Sequence, residues 1–164
     1  MPAAAERAFV GIGANLGEAE ATVRLALDAL GRLPGCTRVA ASSLYRSAPV
    51  QASGPDFVNA VAELQTTLEP RALLQQLQAL EQTHGRVRTV RNAPRTLDLD
   101  LLDQGGRVWR DEALVLPHPR LHLRAFVLRP LLEIAPQLAL PGLGPLAPWL
   151  AQVSGQAIER IGPA

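Results

Sequence analysis

The chain is 164 residues long, 48% hydrophobic and 19% charged, with sixteen basic residues set against fifteen acidic ones. That length and composition suit a single domain with a sizeable core, and a net charge of +1 is a poor match to a protein that lives on duplex nucleic acid. The lone cysteine, Cys36, excludes an internal disulfide and any multi-cysteine metal centre, and no run of about 18 uncharged apolar residues reads as a membrane span.

The N-terminus lacks the basic-then-apolar layout of a secretory signal, so a soluble cytoplasmic protein is expected. A short glycine-bounded apolar run, residues 8–12, reads as the first strand and ends in the turn-rich Gly13-Ala14-Asn15-Leu16-Gly17. Residues 18–32 carry Val23, Leu25, Ala26, Leu27, Ala29 and Leu30 at helical spacing, and Pro34-Gly35 stops that helix. Residues 37–46 alternate as a second strand, and residues 47–56, with Pro49, Gly54 and Pro55, form a loop. A third strand covers residues 57–68. Pro70 then opens a second helix, with Leu73, Leu74, Leu77 and Leu80 as its apolar stripe and Gly85 as its C-cap. An arginine-rich loop, residues 86–94, leads into a fourth strand over residues 96–102.

The order βαββαβ predicts an α+β ferredoxin-like core, an antiparallel sheet with both helices on one face. Gln104-Gly105-Gly106 reads as a turn joining the fourth strand to a short fifth around residues 107–109, a C-terminal β-hairpin. Residues 121–135 look helical with a break or kink at Pro130, and the stretch 138–148 reads as loop before a short terminal helix near Trp149. Nothing suggests a linker or an internal repeat, so the whole of 1–164 is expected to be one domain.

The sharpest chemical signal is Arg95-Thr96-Leu97-Asp98-Leu99-Asp100-Leu101-Leu102. Strand alternation sends the leucines at 97, 99 and 101 to one face and Asp98 and Asp100 to the other, about 7 Å apart at their Cα atoms. Two such carboxylates repel unless a cation lies between them, and together they suit a hard divalent ion such as Mg²⁺. Aspartate is disfavoured in strands, so the pair asks for a reason beyond solubility. Arg86, Arg88, Arg91 and Arg95 precede it with no acidic residue between Glu81 and Asp98. Metal on some oxygens and guanidinium forks on others is what a magnesium-bound polyphosphate needs.

All sixteen basic residues are arginine. Either codon usage or chemistry can account for that, but lysine-dependent Schiff-base and Walker-type phosphate chemistry are excluded in both cases. The glycines from Gly11 to Gly17 do not fit a dinucleotide fingerprint, because the third stands one place late. Pro117-His118-Pro119-Arg120 holds a histidine in a stiff loop, a placement more often structural than functional. Phe57 and Asn59 could grip a flat heterocycle by stacking and edge hydrogen bonds, and on spacing alone ordinary sheet packing serves equally well.

Gly11-Ile12-Gly13-Ala14-Asn15-Leu16-Gly17, Leu44-Tyr45-Arg46, Phe57-Val58-Asn59-Ala60, Gly85-Arg86-Val87-Arg88, Pro94-Arg95-Thr96-Leu97-Asp98-Leu99-Asp100, Leu116-Pro117-His118-Pro119-Arg120 and Arg124-Ala125-Phe126 occur in that order. In these motifs the chain closely resembles the 6-hydroxymethyl-7,8-dihydropterin pyrophosphokinase family of folate biosynthesis, from about residue 9 to residue 138. The resemblance implies a Mg²⁺-dependent enzyme that moves the β,γ-pyrophosphoryl group of ATP to the pterin hydroxymethyl and releases AMP. It implies that Asp98 and Asp100 hold two Mg²⁺ ions and that Arg86 and Arg95 act as catalytic-loop arginines. Gln78, Glu81, Arg88, Arg91, Leu101, His118 and Arg124 match ATP-binding positions. Ser47, Ala48, Val50, Phe57, Asn59 and Phe126 match the pterin site, with the ring between the two phenylalanines.

Two departures stand out. Asn92-Ala93 replaces the Trp-Gly of many members, and Ala113 and Val115 replace an arginine and a threonine that some members carry near the nucleotide. The expected partners are the two small-molecule substrates, with no nucleic acid, no membrane and a monomeric state. The alternative to an enzyme is a non-catalytic ligand-binding regulatory module of the same fold.

Overall fold

The computed structural model describes residues 4–15, 17–49, 55–84 and 97–164. Strand β1 (Glu6–Ala14) leads to helix α1 (Ala19–Leu30), then strands β2 (Cys36–Ala41), β3 (Leu44–Ser47) and β4 (Phe57–Thr66). Helix α2 (Pro70–His84) and strand β5 (Asp98–Gln104) complete the predicted βαββαβ core. The sheet runs β10-β3-β4-β1-β5, with β2 also paired to β4, where β10 is Ile158–Gly162; every pairing is antiparallel.

β1 and β4 lie at the middle of the sheet and are buried on both faces. Ala8, Val10, Ile12 and Ala14 of β1, with Val58, Ala60, Ala62 and Leu64 of β4, meet Val23, Ala26, Leu27 and Leu30 of α1 and Leu73 and Leu77 of α2. That is the side on which the ferredoxin-like pattern places its two helices. Phe9, Val61 and Leu102 face the other way, into a second core built with helix α3 (Ala125–Ile134). The sheet is therefore covered on both faces, one more layer than the predicted core. Leu25, on the predicted α1, points to solvent instead, 57% exposed.

Three sequence expectations change. The second strand is two strands, β2 and β3, parted at Ser42-Ser43, where Ser42 Oγ accepts from Val61 N at 2.9 Å and donates to Ser43 O at 2.8 Å. A side-chain hydroxyl in place of a ladder bond breaks the strand there. The predicted period-two alternation of the fourth strand holds through Leu102, with Leu97, Leu99 and Leu101 in the first core and Leu102 in the second, and the β1–β5 register shifts only beyond Leu101, between Phe9 and Val10. The turn at Gly105 and Gly106 exists, both with positive φ, but the short strand after it, β6 (Trp109–Arg110), pairs with β7 (Val115–Leu116) rather than with β5. The break in residues 121–135 falls at Arg124, which is extended between a 3₁₀ turn, Leu121–Leu123, and α3; Pro130 sits inside the helix.

The stretch read as loop contains a two-residue ladder, β8 (Ala139–Leu140) with β9 (Gly144–Pro145), then a 3₁₀ segment, Ala147–Val153, near the expected terminal helix. β10, unforeseen, closes the chain onto β3 with Ile158 opposite Ser47.

Candidate active site

Residues directly opposite each other in an antiparallel ladder point to the same face. Tyr45, Asn59, Gly13 and Asp98 form one such row across β3, β4, β1 and β5, and Val61, Gly11 and Asp100 form the next. Both rows lie on the α3 side of the sheet. Strands carry side chains alternately up and down, so the same alternation that buries Leu99 and Leu101 in the first core delivers Asp98 and Asp100 here. Neither Gly11 nor Gly13 has a positive φ, so the backbone does not require glycine at these positions. The space does: a Cβ on Gly13 would lie 3.3 Å from Asn59 Nδ2 and 3.9 Å from Phe57 Cδ1.

The missing side chains leave a cleft of about 500 Å³ between the rows and the start of α3. One end holds Phe57, Asn59, Ser47 and Ala48; the other holds Asp98, Asp100 and Glu81; Arg120, Leu123, Arg124, Phe126 and Val127 form the opposite wall. Ser47 Oγ donates to Asn59 Oδ1 at 2.5 Å, which fixes the amide with Nδ2 turned toward Gly13. The Arg124 guanidinium lies 5.5 Å over the Phe126 ring, so the apolar wall and a cation stand together. Glu81 Oε2 accepts from Leu99 N at 2.9 Å, tying α2 to β5 between the two aspartates.

A smaller cleft of about 250 Å³ shares Asp100 with the first. Leu74, Leu99, Leu101, Leu114 and Val115 give it an apolar lining, and His118, Asp111 and Glu112 stand among them. His118 N donates to Leu102 O at 2.8 Å, placing the histidine against the open edge of β5. Its Nδ1 accepts from Arg120 N at 3.2 Å, so the neutral ring keeps its proton on Nε2. Burial, with help from Arg124 and Arg120 and against the pull of Asp100, holds this imidazole below the usual histidine range. Asp111 shapes the neighbouring loop: its carboxylate accepts from Ala113 N, Leu114 N and Trp109 Nε1 at 2.8–2.9 Å. Those bonds depress its pKa.

The structure thus gathers most of the residues expected from the sequence. Ser47, Ala48, Phe57, Asn59 and Phe126 line the larger cleft together with Asp98, Asp100, Glu81 and Arg124. Leu101 and His118 line the smaller one, as do Ala113 and Val115. Gln78 is exposed on α2 between Leu74 and Glu81 and lines neither. Val50, Arg86, Arg88, Arg91 and Arg95 lie outside the described residues, as does Asn92. Sequence reading gave no role to Gly11, Gly13, Arg120, Leu123 or Val127. Arg120 stood in a quoted motif, and two glycines one residue apart in a strand were a signal for an opening beside it.

Asp98 and Asp100 supply hard oxygen donors on one face, and among the described residues no group of three or more histidine, cysteine or acidic side chains could hold a metal. A pair of carboxylates without a closed cage fits Mg²⁺, which keeps open positions for phosphate oxygens and water. No helix among the described residues is long and apolar enough to cross a membrane.

Comparison with known proteins points the same way. The family model for 7,8-dihydro-6-hydroxymethylpterin-pyrophosphokinase (HPPK) matches residues 9–136. A 2-amino-4-hydroxy-6-hydroxymethyldihydropteridine pyrophosphokinase of Pseudomonas aeruginosa is 46% identical over 157 residues, covering 95% of this chain and 97% of that protein. One of the same name from Haemophilus influenzae is 38% identical, covering 95% and 98%. Among solved structures, an HPPK-DHPS in complex with substrates superposes with a TM-score of 0.71 at 11% identity, over 93% of this chain and 44% of that one. The Plasmodium falciparum HPPK-DHPS wild type matches with the same TM-score and identity, over 92% and 41%. At that identity the structural likeness speaks to the α+β fold alone.

Proposed function

The chain belongs to the 7,8-dihydro-6-hydroxymethylpterin-pyrophosphokinase family, and from that premise we propose how the two joined clefts divide the reaction between them. The protein is a diphosphotransferase that moves the β,γ-pyrophosphoryl group of ATP to the hydroxymethyl of 6-hydroxymethyl-7,8-dihydropterin, a step of folate synthesis. The hydroxymethyl oxygen bonds to the β-phosphorus, the bond from that phosphorus to the α,β-bridging oxygen breaks, and AMP leaves with that oxygen as the hydroxyl loses its proton.

The observation that carries the assignment is Asp100, which lines both clefts at once. In our reading the pterin lies in the larger cleft, its ring between Phe57 and Phe126 and its edge on the amide of Asn59. Ser47 holds that amide in one orientation by its hydroxyl hydrogen bond. The adenine end of ATP enters the apolar smaller cleft, where His118 offers Nε2–H as a donor. The phosphates then cross Asp100 toward the pterin hydroxyl.

Asp98 and Asp100 would hold two Mg²⁺ ions, which when bound neutralise phosphate charge and polarise the attacking hydroxyl. Arg120 and Arg124 present cations from the opposite wall, and Arg86, Arg88, Arg91 and Arg95 complete the phosphate grip in this reading. Catalysis is then mostly alignment plus stabilisation of charge. One chain supplies both walls of the cleft, which supports a monomeric, single-domain enzyme; consumption of ATP supports a cytoplasmic setting.

The test is a product assay with ATP, Mg²⁺ and 6-hydroxymethyl-7,8-dihydropterin. AMP and pterin diphosphate formed one-to-one, and only when pterin is present, is the expected result. ADP in place of AMP would overturn pyrophosphoryl transfer. ATP binding without turnover would favour the non-catalytic module.

A further inference from the structure

Helix α3 carries one wall of the larger cleft, yet it has no cap of its own. Its N-cap position is Arg124, extended at φ −127° and ψ 116°, and no side chain of the helix start bonds to the free N–H groups. An uncapped first turn frays, because its leading N–H groups have no intrahelical acceptor. The acceptor comes from the far end of the chain. Gln156 Oε1 accepts from Ala125 N at 2.9 Å, and Gln156 Nε2 donates to Leu123 O at 2.8 Å. One amide therefore spans the backbone on both sides of Arg124. It holds the extended residue at the joint between the 3₁₀ turn and α3.

The same segment reaches the other wall. Two residues after Gln156, Ile158 pairs with Ser47, whose hydroxyl orients Asn59. Gln156 N itself donates to Val153 O at 3.0 Å, which closes the turn leading into β10. A small cavity of about 170 Å³ is bounded by Phe126 together with Ser47, Ala48, Ala125 and Gln156. Phe126 borders this cavity as well as the larger cleft and is only partly buried against the second core, so where the helix begins bears directly on where its ring stands.

We infer that Gln156 is a positioning residue for the pterin-side wall: it caps α3 from the C-terminal segment and so fixes where Phe126 stands against the cleft. This rests on the pterin assignment above. The effect falls on the pterin more than on ATP. Arg124 reaches the nucleotide through a long side chain that absorbs a shift of its backbone, whereas a ring one bond from Cβ follows the helix directly.

The experiment measures KM for each substrate and kcat in Gln156→Ala and Gln156→Glu, with Phe126→Ala alongside. Gln156→Ala should raise the pterin KM roughly three- to tenfold, the scale of a lost cap, with the ATP KM changed less than about twofold. Gln156→Glu keeps the acceptor for Ala125 N but cannot donate to Leu123 O, so it should fall between wild type and alanine. An unchanged pterin KM in a folded variant, or equal rises for both substrates, would overturn the inference. If Gln156→Ala does not fold, the Gln156→Glu values decide by the same criteria. A rise in Phe126→Ala without one in the Gln156 variants defeats the positioning role alone. No rise in Phe126→Ala defeats the pterin-wall assignment and the inference with it.

Discussion

Asp98 and Asp100 stand side by side because β5 alternates, and alternation is a local property that a sequence states outright. Replacing either with alanine removes one charged oxygen pair from the place where the proposed reaction balances phosphate charge. A loss of roughly 10²–10³ in kcat is expected, the scale of one key electrostatic stabiliser, and steady-state AMP formation measures it. Gly13 makes the opposite case. Its contribution is the space beside Asn59 and Phe57, and a sequence displays residues more readily than room. In Gly13→Val the branched methyls would enter that space, while valine suits a buried strand better than glycine does. We expect the pterin KM to rise at least about tenfold while crowding of Asn59 lowers the thermal midpoint by no more than a few degrees. A matched fall in stability would mean that the glycine serves the fold. Asn59 was legible only as one of two readings, because the orientation of its amide depends on Ser47 in a neighbouring strand, a contact spanning twelve positions.

Elements with strong periodicity were read from the sequence close to their true bounds, and those whose existence depends on a distant partner were not. α1, β4, α2 and the aspartate strand carry enough apolar repeat to declare themselves. β10 is five residues of mixed character, IERIG, and is a strand only because β3 offers an open edge. The joint between β2 and β3 likewise needs Val61 across the sheet to satisfy Ser42. α3 is tied down on β3 by a polar cluster that periodicity could not reveal. Glu133 accepts from Tyr45 Oη at 2.6 Å, from Ser43 Oγ at 2.9 Å and from Ser43 N at 3.0 Å, and Arg160 Nε donates to Ser43 Oγ at 2.8 Å. Burial pushes the Glu133 carboxyl up, but the bonds from Tyr45 and Ser43 outweigh it and hold the carboxyl below its usual range. Burial and the bond to Glu133 drive the Tyr45 phenol up to about 12. The Glu133 contribution to stability is therefore full above the ordinary carboxylate pKa near 4.3 and is lost as pH falls through its lowered folded value. The Tyr45 contribution is full below about pH 10 and is lost as pH rises through 12. Tyr45→Phe should cost about 1–2 kcal/mol near neutral pH and flatten the alkaline limb of a denaturation-midpoint curve. An unchanged curve would detach the cluster from α3 docking.

At the scale of the molecule, the sheet divides labour between its faces. One face, with α1 and α2, is packed with aliphatic side chains, of which Leu74, Leu99, Leu101 and Leu114 also line the smaller cleft; the other is shared between a second core and the larger cleft. The fold class followed from element order, but the second layer of helix did not, since α3 and its 3₁₀ neighbours lie outside the βαββαβ pattern. The metal reading is also a statement about the whole assembly of chain and substrates, because two carboxylates hold Mg²⁺ weakly until phosphate oxygens join them. Chelation with excess EDTA should abolish AMP formation, added Mg²⁺ should restore it, and the thermal midpoint of the ATP-free protein should move little between the two. A large loss of stability on chelation would instead mark a structural ion. The row of Asn59, Gly13 and Asp98 has a further effect. Adjacent strands sit about 4.8 Å apart, so the amide and the nearer carboxylate stand two such steps from each other, roughly 10 Å, whatever the side chains around them do. Backbone hydrogen bonding thereby acts as a gauge block between the proposed seats of the two reactants. Descendants of this chain are free to vary either binding surface independently, as long as no residue is inserted or deleted in β1 between Phe9 and Gly13, since a one-place slip would swing Val10 and Ile12 into the channel and the glycines into the packed side.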